Sequence, residues 1–153
     1  MSFDLRGKRC LITGAASGIG RATALAAAAR GADLVLTDIQ AEALDATVAE
    51  VRGAGGTVLF AKALDITDHD AVRAMAAEVH GAHGSVDVVM NVAGVSTWGT
   101  IERLSHSDWE KMIDIDLMGP IVVLESFVPA MIEVGRGGHV VNVFSAAGLF
   151  GLP

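Results

Sequence analysis

The sequence predicts an α/β protein: a doubly wound parallel β-sheet with helices on both faces, in three α/β/α layers. Short segments rich in branched aliphatic residues alternate along the chain with longer helical segments. The strand segments are continuously apolar, which is typical of parallel strands covered by helices on both faces. The repeated order of strand and helix favours parallel neighbours joined by right-handed crossovers.

Five segments are expected to form the strands. They are Arg9 to Thr13, Asp33 to Thr37, Thr57 to Ala61, Val86 to Met90 and His139 to Phe144. The first helix is expected over Arg21 to Arg30, because Ala and Leu dominate there and Gly31 provides a stop. Apolar stripes at helical spacing predict the next two helices. The stripes are Leu44, Val48 and Val51 in one and Val72, Met75 and Val79 in the other.

Hydroxyl residues mark the expected starts of two further helical segments. Thr67 and Ser107 are each followed three residues later by an acidic residue, Asp70 and Glu110. This spacing is typical of an N-terminal capping box. We therefore expect caps at these two residues and one long helix from about Ser107 to Val134.

Composition limits the classes of function. The chain has 153 residues, 52% hydrophobic and 19% charged, enough for one globular domain over residues 1–153. A net charge of −7 without a cluster of Lys or Arg argues against nucleic-acid binding. No run approaches the roughly 20 uncharged apolar residues of a membrane helix, and the first residues lack a signal peptide's apolar stretch. We expect a cytoplasmic protein that does not bind membranes.

The cysteine and histidine residues indicate neither an internal disulfide nor a metal site. Cys10 is the single cysteine, so it cannot form an internal disulfide, and it fits a buried strand position in a reducing compartment. His80 and His83 have no acid or cysteine arranged beside them, so no metal site is expected.

The segment TGAASGIG, Thr13 to Gly20, joins the first strand directly to a helix. Glycines allow a pyrophosphate to approach the backbone, and the helix N-terminus attracts its charge. In a chain with 18 glycines, a purely structural turn is the alternative. Asp38, at the end of the second strand, favours cofactor binding because a carboxylate there can accept both ribose hydroxyls.

Asp38 also predicts which dinucleotide binds. Its carboxylate would repel a 2′-phosphate, and the neighbouring Ile39 supplies no cation to offset that repulsion. We therefore expect NAD, with NADP the less favoured cofactor. The alternative is that Asp38 only caps the following turn.

Three motifs occur in order along the chain. They are Thr13-Gly14-x-x-x-Gly18-Ile19-Gly20, Leu64-Asp65-Ile66 and Asn91-Val92-Ala93-Gly94. In these motifs the sequence resembles the short-chain dehydrogenase/reductase family over its whole length. The resemblance implies a Rossmann-type fold, with Asp65 at the adenine ring and Val92 in place of the family's second asparagine. The cofactor-binding residues implied in total are Gly14, Ser17, Gly18, Ile19, Gly20, Asp38, Asp65, Ile66, Asn91, Ala93 and Gly94.

The same resemblance implies two catalytic positions. Ser145 occupies the place of the family's catalytic serine, which donates a hydrogen bond to the substrate oxygen during hydride transfer. Asp116 stands where the family usually has an asparagine associated with an ordered water in a proton relay. Pro120 has no N–H to bond the Asp116 carbonyl, so we expect that carbonyl to hold the water and the relay to survive, with a shifted pH optimum. Trp98, after the fourth strand, either lines the substrate pocket or packs in its loop.

These features predict an NAD-dependent oxidoreductase that interconverts a secondary alcohol and a ketone, and that is a homotetramer or homodimer by resemblance. The family's general base is a tyrosine in a Tyr-x-x-x-Lys pair, which would follow Pro153, and the chain contains no tyrosine. We therefore expect the N-terminal part of a one-domain protein of roughly 250 residues, whose further strands cover the apolar fifth strand. The alternative is a noncatalytic dinucleotide-binding or regulatory protein.

Overall fold

The computed structural model describes residues 4–146, whose five strands form one parallel sheet in the order β3-β2-β1-β4-β5. In chain order the strands are β1 (Arg9–Thr13), β2 (Asp33–Asp38), β3 (Thr57–Ala63), β4 (Val88–Asn91) and β5 (His139–Asn142). The chain builds outward from β1 to β3 and then crosses to the other side of β1 for β4 and β5. The predicted doubly wound sheet is therefore confirmed.

Helices connect the strands along the sheet. They are α1 (Gly18–Ala29), α2 (Ala41–Gly53), α3 (His69–His83), α4 (His106–Ile113) and α5 (Gly119–Val134). A π-helical turn, Asp114–Met118, joins α4 to α5, so the expected long helix is continuous but changes its winding in the middle. Ala147 and Gly148, which continue the predicted serine segment, lie outside the described residues.

Each face of the sheet has its own apolar core, because successive strand residues point to opposite sides. Ile12 of β1 packs with α1 and α2, while its neighbour Leu11 packs with α3 and α5. The predicted stripes of α2 and α3 are buried in these two clusters. Helices therefore cover both faces, as the continuously apolar strands predict.

The caps of α3 and α4 differ from the predicted residues. Asp68 caps α3, and its side chain accepts a first-turn backbone N–H at 3.0 Å. Ser105 caps α4 through a capping box with Asp108. The expectation of caps at Thr67 and Ser107 was wrong by one and two residues. Several capping residues stand side by side here, and the path of the incoming loop decides which of them caps.

The helical run 106–134 is long and apolar enough to cross a membrane by length and composition alone. In the fold it packs on the sheet, with Val123 and Phe127 buried in the core beside α3. Its outer side exposes Ile121 and Ile132. β5 lies at the edge of the described sheet, and its residues are exposed.

The Cys10 thiol is predicted to resist alkylation in the folded protein. Burial raises its pKa to about 12, with Asp87 and Asp33 adding to the rise, so almost no thiolate forms near pH 8. Because the folded pKa lies above the unfolded value of 9.0, this thiol stabilises the fold below about pH 9, and that contribution is lost as the pH rises toward 12. Intact-mass measurement after iodoacetamide treatment, with and without urea, tests this prediction. Rapid stoichiometric alkylation without urea would contradict it.

Candidate functional site

A cleft of about 350 Å³ opens at the carboxyl ends of the central strands, where the strand order reverses. In open α/β sheets, ligands bind in the crevice at such a reversal. Ten of the eleven residues predicted to bind cofactor line this cleft. They are Gly14, Ser17, Gly18, Ile19, Gly20, Asp38, Asp65, Ile66, Ala93 and Gly94. The fold thus brings three motifs that are distant in sequence together around one cleft.

The glycines of the turn after β1 have different structural reasons. A Cβ on Gly20 would lie 1.9 Å from the Gly14 carbonyl oxygen, so the turn closes only with glycine there. A Cβ on Gly14 would lie 2.8 Å from the Ala93 backbone. Gly18 has a φ of +49°, and a Cβ there would meet nothing within 4 Å, so this residue borders open space. The turn is tight on its protein side and leaves room on its cleft side.

The N-terminus of α1 lies at this open side. Ser17 occupies the N-cap position, makes no side-chain capping bond to the described backbone, and lines the cleft. The first turn of α1 contains no acidic residue. Its first N–H groups and the positive end of the helix dipole are therefore available to an anion.

Asp38 connects the end of β2 to the glycine turn. Its side chain is buried at 8% exposure, with Oδ2 accepting the Ala16 N–H at 2.9 Å and Oδ1 accepting the Gln40 N–H at 3.0 Å. A carboxylate has about four acceptor positions, so each oxygen can still accept a ribose hydroxyl. Asp38 therefore caps its local turn and also lines the cleft.

Asp65 is held in place after β3 by Thr67. Its Oδ1 accepts the backbone N–H of Thr67 at 2.9 Å and the hydroxyl of the same residue at 2.8 Å. The Thr67 hydroxyl donates to Asp65, while Asp68 accepts an N–H of the first turn of α3. Asp65 and the neighbouring Ile66 form the cleft wall next to Asp38.

Sequence reasoning missed Thr13, which joins β1 to the loop after β4. Its side chain is 1% exposed, and Oγ1 accepts the N–H groups of Val92 and Ala93, both at 3.0 Å. Val92 and Ala93 both line the cleft. The available signal was a hydroxyl residue at the end of a strand, directly before the first glycine of the turn.

Asn91 and Ser145 are not among the residues that line the cleft. Asn91 is buried, and its Nδ2 donates to Asn142 Oδ1 at 2.9 Å across β4 and β5. Ser145 is exposed three residues after the end of β5, at the same carboxyl edge of the sheet. Asn91 therefore links β4 to β5, and the catalytic role of Ser145 stays a prediction.

Asp116 fastens the loop after β4 to the long helix. It lies in the π-helical turn, and its Oδ1 accepts the Val95 N–H at 2.8 Å. Pro120 follows at the second position of α5 and has no N–H to donate to the Asp116 carbonyl. Trp98 is 91% exposed further along this loop and does not line the cleft.

His80 is half-buried and packs against α5. Its ring meets Phe127 edge to face at 5.3 Å, and burial lowers its pKa, so the neutral form dominates at pH 7. Within residues 4–146, no group of three or more His, Cys, Asp or Glu side chains is arranged to hold a metal ion.

Comparisons of the sequence and of the fold with known proteins find relatives that share both. The family model for short chain dehydrogenases matches residues 8–153. The 3-oxoacyl-[acyl-carrier-protein] reductase FabG of Thermotoga maritima is 41% identical over 149 residues, which are 97% of this chain and 60% of that protein.

Two solved structures have closely similar folds. A short chain dehydrogenase/reductase from Burkholderia phymatum in complex with NAD has a TM-score of 0.93 at 36% identity, and the match covers 99% of this chain and 54% of that one. A metagenomic short-chain oxidoreductase in complex with NADP has a TM-score of 0.90 at 36% identity, with 98% and 67% covered.

A doubly wound sheet with a glycine turn at the reversal of strand order defines a dinucleotide-binding fold of the Rossmann type. Within this class, the chain belongs to the short chain dehydrogenase family. It spans about 60% of the length of the Thermotoga maritima relative.

Replacing Thr13 by valine is predicted to destabilise the fold by about 2 kcal/mol. Valine has nearly the same shape but leaves the Val92 and Ala93 N–H groups without their acceptor. Thr13→Ser keeps the hydroxyl and is the matched control, with an expected loss of less than half as much. Urea unfolding measures both. Equal losses would show that the methyl group contributes as much as the two hydrogen bonds, which would contradict the prediction.

Proposed function

We propose that the protein is an NAD-dependent oxidoreductase that interconverts a secondary alcohol and a ketone. The observation that carries the proposal is the buried Asp38 carboxylate on the cleft wall, fixed to the backbone of the glycine turn. Both structural relatives described above hold a nicotinamide dinucleotide, one NAD and the other NADP. A bound nicotinamide would accept or supply the hydride that this reaction transfers.

The residues of the cleft fit such a cofactor. The open space beside Gly18 and the uncapped N-terminus of α1 suit a pyrophosphate, which needs close backbone approach and N–H donors. Asp38 and Asp65 would hold the adenosine half, since both carboxylates are already fixed by backbone hydrogen bonds. Such fixed acceptors reduce the ordering cost of binding.

Charge on the wall favours NAD over NADP. The lining contributed by the described residues contains Asp38 and Asp65 but neither lysine nor arginine. Arg21, at the start of α1, pairs with Glu50 of α2. A 2′-phosphate near Asp38 would meet a negative charge without a compensating cation.

Ser145 is the proposed hydrogen-bond donor to the substrate oxygen. It lies at the carboxyl edge of the sheet, on the β4 and β5 side of the glycine turn. Alcohol oxidation also needs a proton acceptor. The chain contains no tyrosine, so we assign this role to a Tyr-x-x-x-Lys pair outside these 153 residues. The full protein would then be a single Rossmann-type domain.

We further propose that the protein is cytoplasmic and forms a homodimer or homotetramer. Ile121 and Ile132 give the outer side of α5 an exposed apolar surface. Apolar surface of this kind is stabilised when a second chain covers it.

Wild-type protein is predicted to bind NADH about tenfold or more tightly than NADPH, because Asp38 repels the 2′-phosphate. Asp38→Asn should reduce this preference, since the amide keeps an acceptor oxygen but loses the charge. Asp45→Asn, on exposed α2 surface, is the control for net charge. Titration of reduced-nicotinamide fluorescence measures the affinities. Equal or tighter NADPH binding by the wild type would refute the role of Asp38.

Ser145→Ala is predicted to lower kcat by about a hundredfold while leaving the Kd for NADH unchanged, because the lost donor acts on the substrate oxygen in the transition state. Formation of reduced nicotinamide with a panel of secondary alcohols measures the activity of the full protein, which would include the proposed Tyr-x-x-x-Lys pair. A wild-type protein that binds NADH but oxidises no alcohol and reduces no ketone would support the noncatalytic alternative.

A further inference from the structure

The carboxylate of Asp116 lies directly behind the cleft wall on the β4 side. We propose that its negative charge makes this protein hold the oxidised cofactor more tightly, relative to the reduced one, than a neutral side chain at this position would. The proposal rests on the proposed function, because it concerns the nicotinamide half of the dinucleotide. It adds a residue that sets the preferred redox state of the bound cofactor.

Strand order places the two halves of a dinucleotide on opposite sides of β1. Asp38 and Asp65 follow β2 and β3, which lie on one side of the glycine turn. A dinucleotide whose adenosine half meets these carboxylates, and whose pyrophosphate lies on the turn, extends to the other side. That side is the carboxyl end of β4, where the wall is formed by residues 92–95.

Asp116 contacts this part of the wall from behind. Its Oδ1 accepts the Val95 N–H at 2.8 Å, and a Cβ built on Gly94 would lie 3.1 Å from the same oxygen. Gly94 and Val95 both line the cleft. One layer of backbone therefore separates the carboxylate from the space that the nicotinamide half would enter.

The two redox states differ in charge at that place. The oxidised nicotinamide ring carries a positive charge, and the reduced ring is neutral. A nearby carboxylate attracts the first and has little effect on the second. Asp116 is exposed to solvent, which weakens the attraction, so we expect a change of about threefold in the affinity ratio. Relative stabilisation of the oxidised form makes the bound, reduced cofactor a stronger hydride donor, which favours ketone reduction on the protein.

The test compares Asp116→Asn with wild type in the purified protein. Asparagine keeps an oxygen that can accept the Val95 N–H, so the loop stays attached while the charge is removed. Asp114→Asn, an exposed position in the same π-helical turn, is the matched control for net charge. Calorimetric titration gives the Kd of NAD⁺ and of NADH for each protein.

In Asp116→Asn, the ratio of the Kd for NAD⁺ to the Kd for NADH should rise about threefold, and in Asp114→Asn it should not change. Added salt should also raise the ratio more in wild type than in Asp116→Asn, because salt screens the exposed Asp116 charge that only wild type has. An unchanged ratio in Asp116→Asn, or equal weakening of both ligands, would overturn the proposal. If wild type binds neither nucleotide, the proposed function itself fails, and that result is distinct from an unchanged ratio.

Discussion

The cleft depends on one hydroxyl oxygen that accepts two backbone N–H groups. Thr13 Oγ1 binds the first residues after β4, and Gly14 beside it has no Cβ to keep the two segments apart. The end of β1 and the loop after β4 therefore meet at backbone distance. The glycine turn, which bonds to Asp38, follows this junction directly. The loop after β4, which bonds to Asp116, follows it on the other side. Without this oxygen, the N–H groups of Val92 and Ala93 would lose their acceptor, and the glycine turn and the loop after β4 would both be held less firmly.

The local sequence pattern was sufficient to predict most of the fold. The apolar runs located all five strands to within a few residues, because a buried parallel strand must be apolar on both faces. The glycine turn and Asp38 were also visible, since each has a fixed place at the end of a strand. The caps were harder to predict. At Thr67 and Asp68, adjacent residues can both cap, and the loop determines which one does.

Contacts between distant segments could not be predicted from the sequence alone. Thr13 bonds to residues 79 and 80 positions away, and Asp116 bonds to Val95, 21 positions away. Neither partner is recognisable from local composition, because the accepting group meets a backbone N–H that every residue except proline has. The π-helical turn was likewise unforeseen. Such a turn inserts an extra residue into the helix and changes the direction of the side chains beside it.

Asp38 accepts the backbone of its own turn and of the glycine turn before any ligand arrives. The side chain proposed to set the cofactor preference therefore also holds the glycine turn in shape. Asparagine at this position keeps an acceptor oxygen for only one of the Ala16 and Gln40 N–H groups, and an apolar residue keeps neither. A replacement that alters nucleotide preference therefore also weakens the loop, unless a second residue supplies the missing acceptor.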